Sequence, residues 1–532
     1  MRRLLSFIIV LFLSFGCVAQ QRDSIPTFTS RTELVLVPTV VVDHQGKHIP
    51  GLTAKDFSLR QDGDQKQIAF FEEVTPKPSD RAKDRSGLYS NYVVGEKTTA
   101  HLTIFALDLL NTPFAGQAEA RKMLLERLAA VVNDGQPKSL VVFTRSGVRV
   151  LHDFTTDSEA LAVTLRRVVS NSPNLNTKDV ANDPLYARLS DFSQAKNWVY
   201  DEFWQREVVD LTETCFRQIA TAFAGVPGRK ALVWVTAGFP YTSSSPRIGM
   251  SNFPDYDRTW RALNAANVAI YPVDVRDISI PGFSDATRRR RLDMPSSLAR
   301  GGTVDSLMSD LPAQQSASML NFARETGGTS CIGRIDLSEC FNRAEQDSDA
   351  YYIIGYYLDH QTSKPGWHKL EVKTSVPKAV VRSRKGFEVT EPGSKEDLKT
   401  EIETAVTAPL DYTAIPISAK WDDVTAADAG TKRVKFELVM PPNAFALEEQ
   451  DQNHMDLEVL AVSRMPDGRA VLLRDLQLDD HFKQESANKI KQNGFRYHDT
   501  LEIAPGDYSI RFVIRDNVSK KIGSVTAPLR VQ

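Results

Sequence analysis

The sequence predicts an α/β domain, a mostly parallel sheet with helices on both faces, set between a small β module and a C-terminal β-sandwich. Three observations carry this. From His101 to about Asp359, short and nearly continuous apolar runs alternate with amphipathic helical patterns, as expected of strands covered on both faces. Before Thr75 and after Asp359 the pattern is dominated by short strands between turn signals. The 532 residues allow three to four domains at about 150 residues each. Hydrophobic residues at 42% and charged residues at 25% place the chain in the ordinary globular range, against disorder or a polytopic membrane protein.

Residues 1–19 read as a signal peptide. Arg2 and Arg3 precede the apolar run Leu4 to Phe15, and Cys17-Val18-Ala19 supplies small residues before a cleavage point. The run is too short to span a bilayer, so a periplasmic or secreted protein is expected. A lipoprotein anchored at Cys17 is the alternative, and the only route to a membrane. Removing Arg2 and Arg3 with the leader takes the formal net charge from −2 to −4, which argues against nucleic acid as a partner.

Residues 30–75 form a β segment, with Leu34 to Val37 and Val40 to Val42 as strand patterns and turns at Gln45-Gly46 and Asp62-Gly63. It is expected to pair in space with 366–388. Residues 75–98, with Pro76 and Pro78, read as a linker or surface loop. The α/β domain is assigned to 99–360. Its strands are Leu102 to Leu107, Ser139 to Phe143 with a returning Val148 to His152, Ala231 to Thr236, Val268 to Val273 and finally Tyr351 to Leu358. Helices are placed at Ala115 to Val132, 158–169, 190–224, Asp257 to Ala266, Ser316 to Glu325 and Leu337 to Asp347. Residues 361–390 complete the β module and 391–408 form a linker helix acting as a spacer. The span 409–532 offers seven short strands, which suit an immunoglobulin-like sandwich.

Of the cysteines after the leader, Cys331 and Cys340 are separated by a short gap and are the natural disulfide pair in an oxidising compartment. Cys215 lies in a helical pattern with Val209, Leu211, Phe216 and Ile219 and reads as a buried small hydrophobe.

The order of the central segments resembles a von Willebrand factor type A domain. The resemblance rests on the opening strand ending in Asp108, the Gly228 to Gly238 stretch Gly-Arg-Lys-Ala-Leu-Val-Trp-Val-Thr-Ala-Gly, the Leu263 to Asp274 stretch, and Phe322 to Gly328, Phe-Ala-Arg-Glu-Thr-Gly-Gly. With Gly51 to Phe57 ahead and Tyr351 to Tyr357 behind, residues 30 to 390 resemble the von Willebrand factor A-related family described from Acidobacteria. The resemblance implies an extracytoplasmic bacterial protein whose α/β domain binds protein. It also implies a metal-ion-dependent adhesion site, built from an Asp-x-Ser-x-Ser turn, a separate Thr and a further Asp, because Mg²⁺ takes about six oxygen ligands. Here the turn reads Asp108-Leu109-Leu110-Asn111-Thr112. Asp108 and Thr112 match its ends, Leu110 replaces a ligand-bearing Ser, and Ala237 stands where the later Asp is expected. The site is therefore degenerate. Asp108, Asn111, Thr112 and Thr236 are its candidate binding residues, Asp108 and Thr112 its candidate ligands, and no cofactor is expected unless Mg²⁺ binds a rebuilt site with help from Asp153 or Asp157.

Catalytic signatures are missing: the chain has no Gly-x-Ser-x-Gly, His-Glu-x-x-His, Cys-x-x-Cys or Gly-x-Gly-x-x-Gly. Gly328 to Ile335 misses a phosphate loop, having Arg334 for Lys and Ile335 where a hydroxyl is needed. The nine histidines are scattered. Three features have structural readings: Arg288 to Arg291 as part of a solvated insertion, the Trp198, Tyr200, Phe203 and Trp204 cluster as helix-to-sheet packing, and the Tyr351, Tyr352, Tyr356 and Tyr357 set as ring rows of a strand. The expectation is a non-enzymatic protein-binding protein of the cell envelope. The alternatives are a metal-dependent adhesin and a hydrolase whose constellation the spacing hides.

Overall fold

The computed structural model describes residues 32–75, 87–91, 102–112, 114–130, 136–171, 197–226, 228–239, 256–276, 304–333, 338–359, 364–389, 395–427, 430–448, 451–464 and 470–532. The leader, the Arg288 to Arg291 run and the side chains of Trp198, Tyr200, Phe203 and Trp204 lie outside that description.

In chain order the elements that matter here are β1 (Thr32–Val42), β2 (Phe57–Gln61), β3 (Asp64–Lys66), β4 (Phe70–Val74), β5 (Leu88–Ser90), β6 (Leu102–Asp108), α1 (Phe114–Ala130), β7 (Lys138–Thr144), β8 (Gly147–Thr155), α2 (Ser158–Asn171), α3 (Asn197–Ala222), β9 (Lys230–Thr236), α4 (Tyr256–Ala265), β10 (Val268–Asp274), α5 (Val304–Thr326), α6 (Ser338–Asp349) and β11 (Tyr351–Asp359). They are followed by β12 (Gly366–Thr374), β13 (Val380–Ser383), β14 (Gly386–Val389), α7 (Lys395–Thr407), β15 (Ser418–Ala426), β16 (Lys432–Met440), β17 (His454–Arg464), β18 (Ala470–His481), α8 (Gln484–Asn493), β19 (Phe495–Ile503), β20 (Gly506–Asp516) and β21 (Ile522–Val531).

The central sheet has the order β10-β9-β6-β7-β8; its first four strands are parallel and β8 runs antiparallel to β7. Every residue of β6, β9 and β10 is buried. The reason is alternation between two apolar layers. Ile104, Ala106, Leu232 and Trp234 face one layer with Phe216, Leu263 and Phe322 of α3, α4 and α5. Phe105, Leu107, Val233 and Val235 face the other, with Leu124, Leu161 and Phe341 of α1, α2 and α6. Burying each Val, Leu, Ile or Phe among them stabilises by about 1.5–3 kcal/mol. Cys215 is fully buried in the first layer, and burial pushes its thiol pKa upward.

Tyr351 to Leu358, expected as the last strand of the 99–360 domain, instead forms β11 in a different sheet of order β13-β1-β11-β4, antiparallel to both β1 and β4. Its tyrosines explain the placement. Tyr352 and Tyr356 enter the apolar cluster of the β module; the Tyr352 hydroxyl donates to Ile49 O at 2.7 Å, and that of Tyr356 donates to Gln61 Oε1 at 3.0 Å. Tyr351 faces the other way and accepts from Arg229 N at 3.2 Å, while Tyr357 is exposed. A second sheet, β14-β12-β2-β3, pairs the two distant segments again through β2 and β12. A buried polar seam joins module and α/β domain. Asp347 accepts from Tyr271 Oη at 2.9 Å and from Arg382 Nη2 at 2.7 Å, and Arg229 Nη2 donates to Tyr271 at 2.9 Å.

Two further expectations are corrected. The 75–98 linker contains β5, which pairs with the edge of β15; Asn91 fixes it by donating to Tyr412 O and Ile415 O at 2.7 and 2.8 Å. The 391–408 helix is no spacer. Ala405 and Ala408 of the α7 segment share the first apolar layer with α3, Leu460 and Val513. The C-terminal strands form two antiparallel sheets, β19-β16-β15-β5 and β18-β17-β20-β21, over one core containing Phe436, Leu457, Phe512 and Val525. Among the described residues, no helix is long and apolar enough to cross a membrane.

Candidate functional site

In the central sheet the strand order reverses between β6 and β9, and open α/β sheets bind ligands outside the carboxyl ends of strands at such a point. Asp108 ends β6 and Thr236 ends β9 there, so the turn expected from sequence lies at the switch point.

The Asp108 side chain is fully buried and its carboxylate is enclosed by donors. Oδ1 accepts from the backbone N–H of Leu110 at 2.9 Å and of Asn111 at 3.0 Å. Oδ2 accepts from Asn111 Nδ2 at 2.7 Å, Thr236 Oγ1 at 2.8 Å and Trp234 Nε1 at 3.0 Å. Burial pushes the carboxyl pKa up, and the donors from Asn111, Thr236 and Trp234 oppose that shift by stabilising the anion.

The rest of the turn is committed in the same way. Thr112 is buried, and its Oγ1 accepts from Ala237 N at 3.3 Å. Its carbonyl accepts from Gln117 Nε2 at 2.8 Å. Asn111 also donates to Thr212 Oγ1 of α3 at 2.9 Å, and Thr236 Oγ1 accepts from Gly238 N at 2.9 Å. Leu109 packs into the second apolar layer and Leu110 against the first. Gly238 is required where it stands: its φ is +73°, and a Cβ would lie 2.7 Å from Gln315 O.

The structure brings Asp108, Asn111, Thr112 and Thr236, the residues implied by the resemblance, together. It does not fit them to Mg²⁺. Five donors surround the carboxylate, and the side chains of Leu110 and Ala237 carry no ligand atom where the motif has a Ser and an Asp. Asp157 is held elsewhere, capping α2 by accepting from Glu159 N and Ala160 N; the Asp153 side chain lies outside the described residues. Sequence reasoning missed Trp234 and Thr212. The period of two along β9 puts Trp234 on the same face as Thr236 and could have found it. Thr212, on a distant helix, carried no signal.

Beside this cage lies a second polar group on β10. Asp274 is buried and ion-paired to Arg276, Nη2 to Oδ2 at 2.6 Å. Arg276 also reaches Ser316 Oγ at 2.7 Å and Gln315 Oε1 at 3.1 Å on α5. The edge is closed by Cys331, whose N–H donates to Pro272 O at 2.8 Å and whose carbonyl accepts from Asp274 N at 3.0 Å. Cys331 is bonded to Cys340 at the start of α6, with Cα atoms 5.9 Å apart. Comparison of the chain with protein-family models and with curated proteins finds no match to either.

Proposed function

We propose that this chain is an exported, extracytoplasmic protein without catalytic activity, which binds a protein partner through an α/β domain of the von Willebrand factor A type and does so without a bound divalent ion. The observation that carries the reading is the cage around Asp108. An adhesion-site ion works by leaving a coordination position open for a partner's carboxylate; here protein donors occupy the carboxylate at the corresponding turn. The parallel order β10-β9-β6-β7 with an antiparallel β8 supports the domain type, and the disulfide is compatible with an oxidising compartment. Recognition then falls to the rim beside the closed cage, where the partly exposed Arg276 is held in place by Asp274, Gln315 and Ser316.

The test is calorimetry with Mg²⁺ and Mn²⁺ on the chain without its leader, together with cross-linking to envelope extract in EDTA. No heat attributable to Asp108, and capture that survives EDTA but falls with Arg276→Glu, are expected. Heat that disappears in Asp108→Ala and Thr112→Val would overturn the ion-free reading and establish the metal-dependent adhesin, which the matching ends of the turn favour.

A further inference from the structure

The second C-terminal sheet brings together two histidines that lie far apart in sequence. His454 opens β17, His481 closes β18, and the two are direct partners across the ladder. Their rings stack with centroids 4.5 Å apart and planes 20° from parallel. The segment before β17 folds back over them, because Gln452 and Asn453 take left-handed backbone with φ of 50° and 56°. That turn is held independently of the imidazoles. Glu448 N donates to His454 O at 2.9 Å, and buried Asn453 donates through Nδ2 to Phe482 O at 3.2 Å.

As a result Asp451 stands over both rings, Oδ1 at 3.5 Å from His481 Nε2 and Oδ2 at 3.8 Å from His454 Nδ1. One ligand atom from each of these three residues lies within 4.8 Å of the others. Four-coordinate Zn²⁺, bound to nitrogen and oxygen at about 2.0–2.2 Å, needs donors roughly 3.3–3.5 Å apart and lying in the planes of both rings, so binding requires the imidazoles to swing out of their stack about the side-chain torsions. The far nitrogen of His454, Nε2, meets Asp479 Oδ1 at 2.8 Å. A carboxylate at that nitrogen is the partner that orients a metal-binding histidine, and it leaves Nδ1, on the Asp451 side, as the nitrogen for an ion. Glu448 Oε2, 3.8 Å from the same Nδ1, is within reach as a fourth ligand.

We infer that Asp451, His454 and His481 form a binding site for one divalent transition-metal ion of the Zn²⁺ class, with Asp479 as a positioning residue. The donor set of two imidazoles and carboxylate selects this class over Mg²⁺ or Ca²⁺, which prefer oxygen throughout. Bound metal would pin Asp451 and the start of β17 to the end of β18 and stabilise the sandwich.

The experiment is titration of ZnCl₂ into the full chain by calorimetry, with Co²⁺ absorption as a second readout. One site per chain is expected, with the visible bands of four-coordinate Co²⁺. Affinity should fall about 100-fold or more in His454→Ala and in His481→Gln, and about 10-fold in Asp479→Asn with stoichiometry unchanged. His481 is half exposed, so its variant keeps the test valid if His454→Ala folds poorly. Absence of binding by the wild type, or binding and Co²⁺ bands that are the same in both histidine variants, would overturn the assignment.

Discussion

At the residue scale, Asp108 and Lys230 show buried groups of opposite charge type, each satisfied by neutral hydrogen-bond partners. Among the described residues, Asp108 pairs with no cation in its cage and is held by neutral donors. Asp108→Asn turns one acceptor into a donor facing Trp234, Thr236 or the turn N–H groups, and should cost about 2–4 kcal/mol in denaturant unfolding. Lys230, fully buried at the start of β9, donates to Val226 O and Gly228 O. Burial, with Arg384 nearby, lowers its pKa from 10.5 to about 7. The unfolded chain therefore binds the Lys230 proton more readily than the folded one between about pH 7 and pH 10.5, so this residue makes stability rise with pH across that window. Unfolding free energies measured from pH 7 to 10 should climb by a few kcal/mol relative to Lys230→Met. A wild type and variant with parallel pH profiles would contradict this.

At the element scale, the Cys331–Cys340 disulfide ties the edge beside β10 to the first turn of α6. The loop it closes is short, so Cys340→Ser should lower stability by about 2–3 kcal/mol, and reducing the wild type should bring it to the same value. Elements whose local pattern is set by burial were legible in the sequence. The Leu102 to Leu107 run reads as a strand covered on both faces, and it is buried throughout. The turn at Asp108 was legible only through the resemblance that carries the Asp-x-Ser-x-Ser motif. What escaped has a physical reason in each case. α8 buries only Ala487, which leaves no apolar stripe to read. β5 is three residues long and owes its existence to the edge of β15. β11 was readable as a strand but not as a partner of β1, because alternation specifies a strand's faces and says nothing about which ladder it joins. The His454 and His481 pairing was hidden by the same rule.

At the scale of the whole molecule, the α/β domain and the sandwich share one apolar layer, and backbone contacts cross between them. Thr413 donates through N and Oγ1 to Ala222 O at the end of α3, at 3.0 and 2.7 Å, and Arg511 donates to Ala405 O at 3.0 Å and to Ala408 O. A Cβ on Gly225 would lie 2.0 Å from Thr413 O, so Gly225→Val must push the two apart. Scanning calorimetry should then resolve two unfolding transitions in place of one. The β module adds a further consequence. Leu52 and Tyr352, hydrogen-bonded in the finished fold, are separated by 300 positions. At about 5–20 residues per second, β1 and β2 emerge some 15–60 s before β11 and β12 exist to pair with them. β1, with its apolar residues Val35 to Val42, spends that interval without its partners, ready to pair with another chain. Biogenesis of this protein is thus a problem of timing: the first strands must be kept from pairing with other chains until β11 and β12 exist.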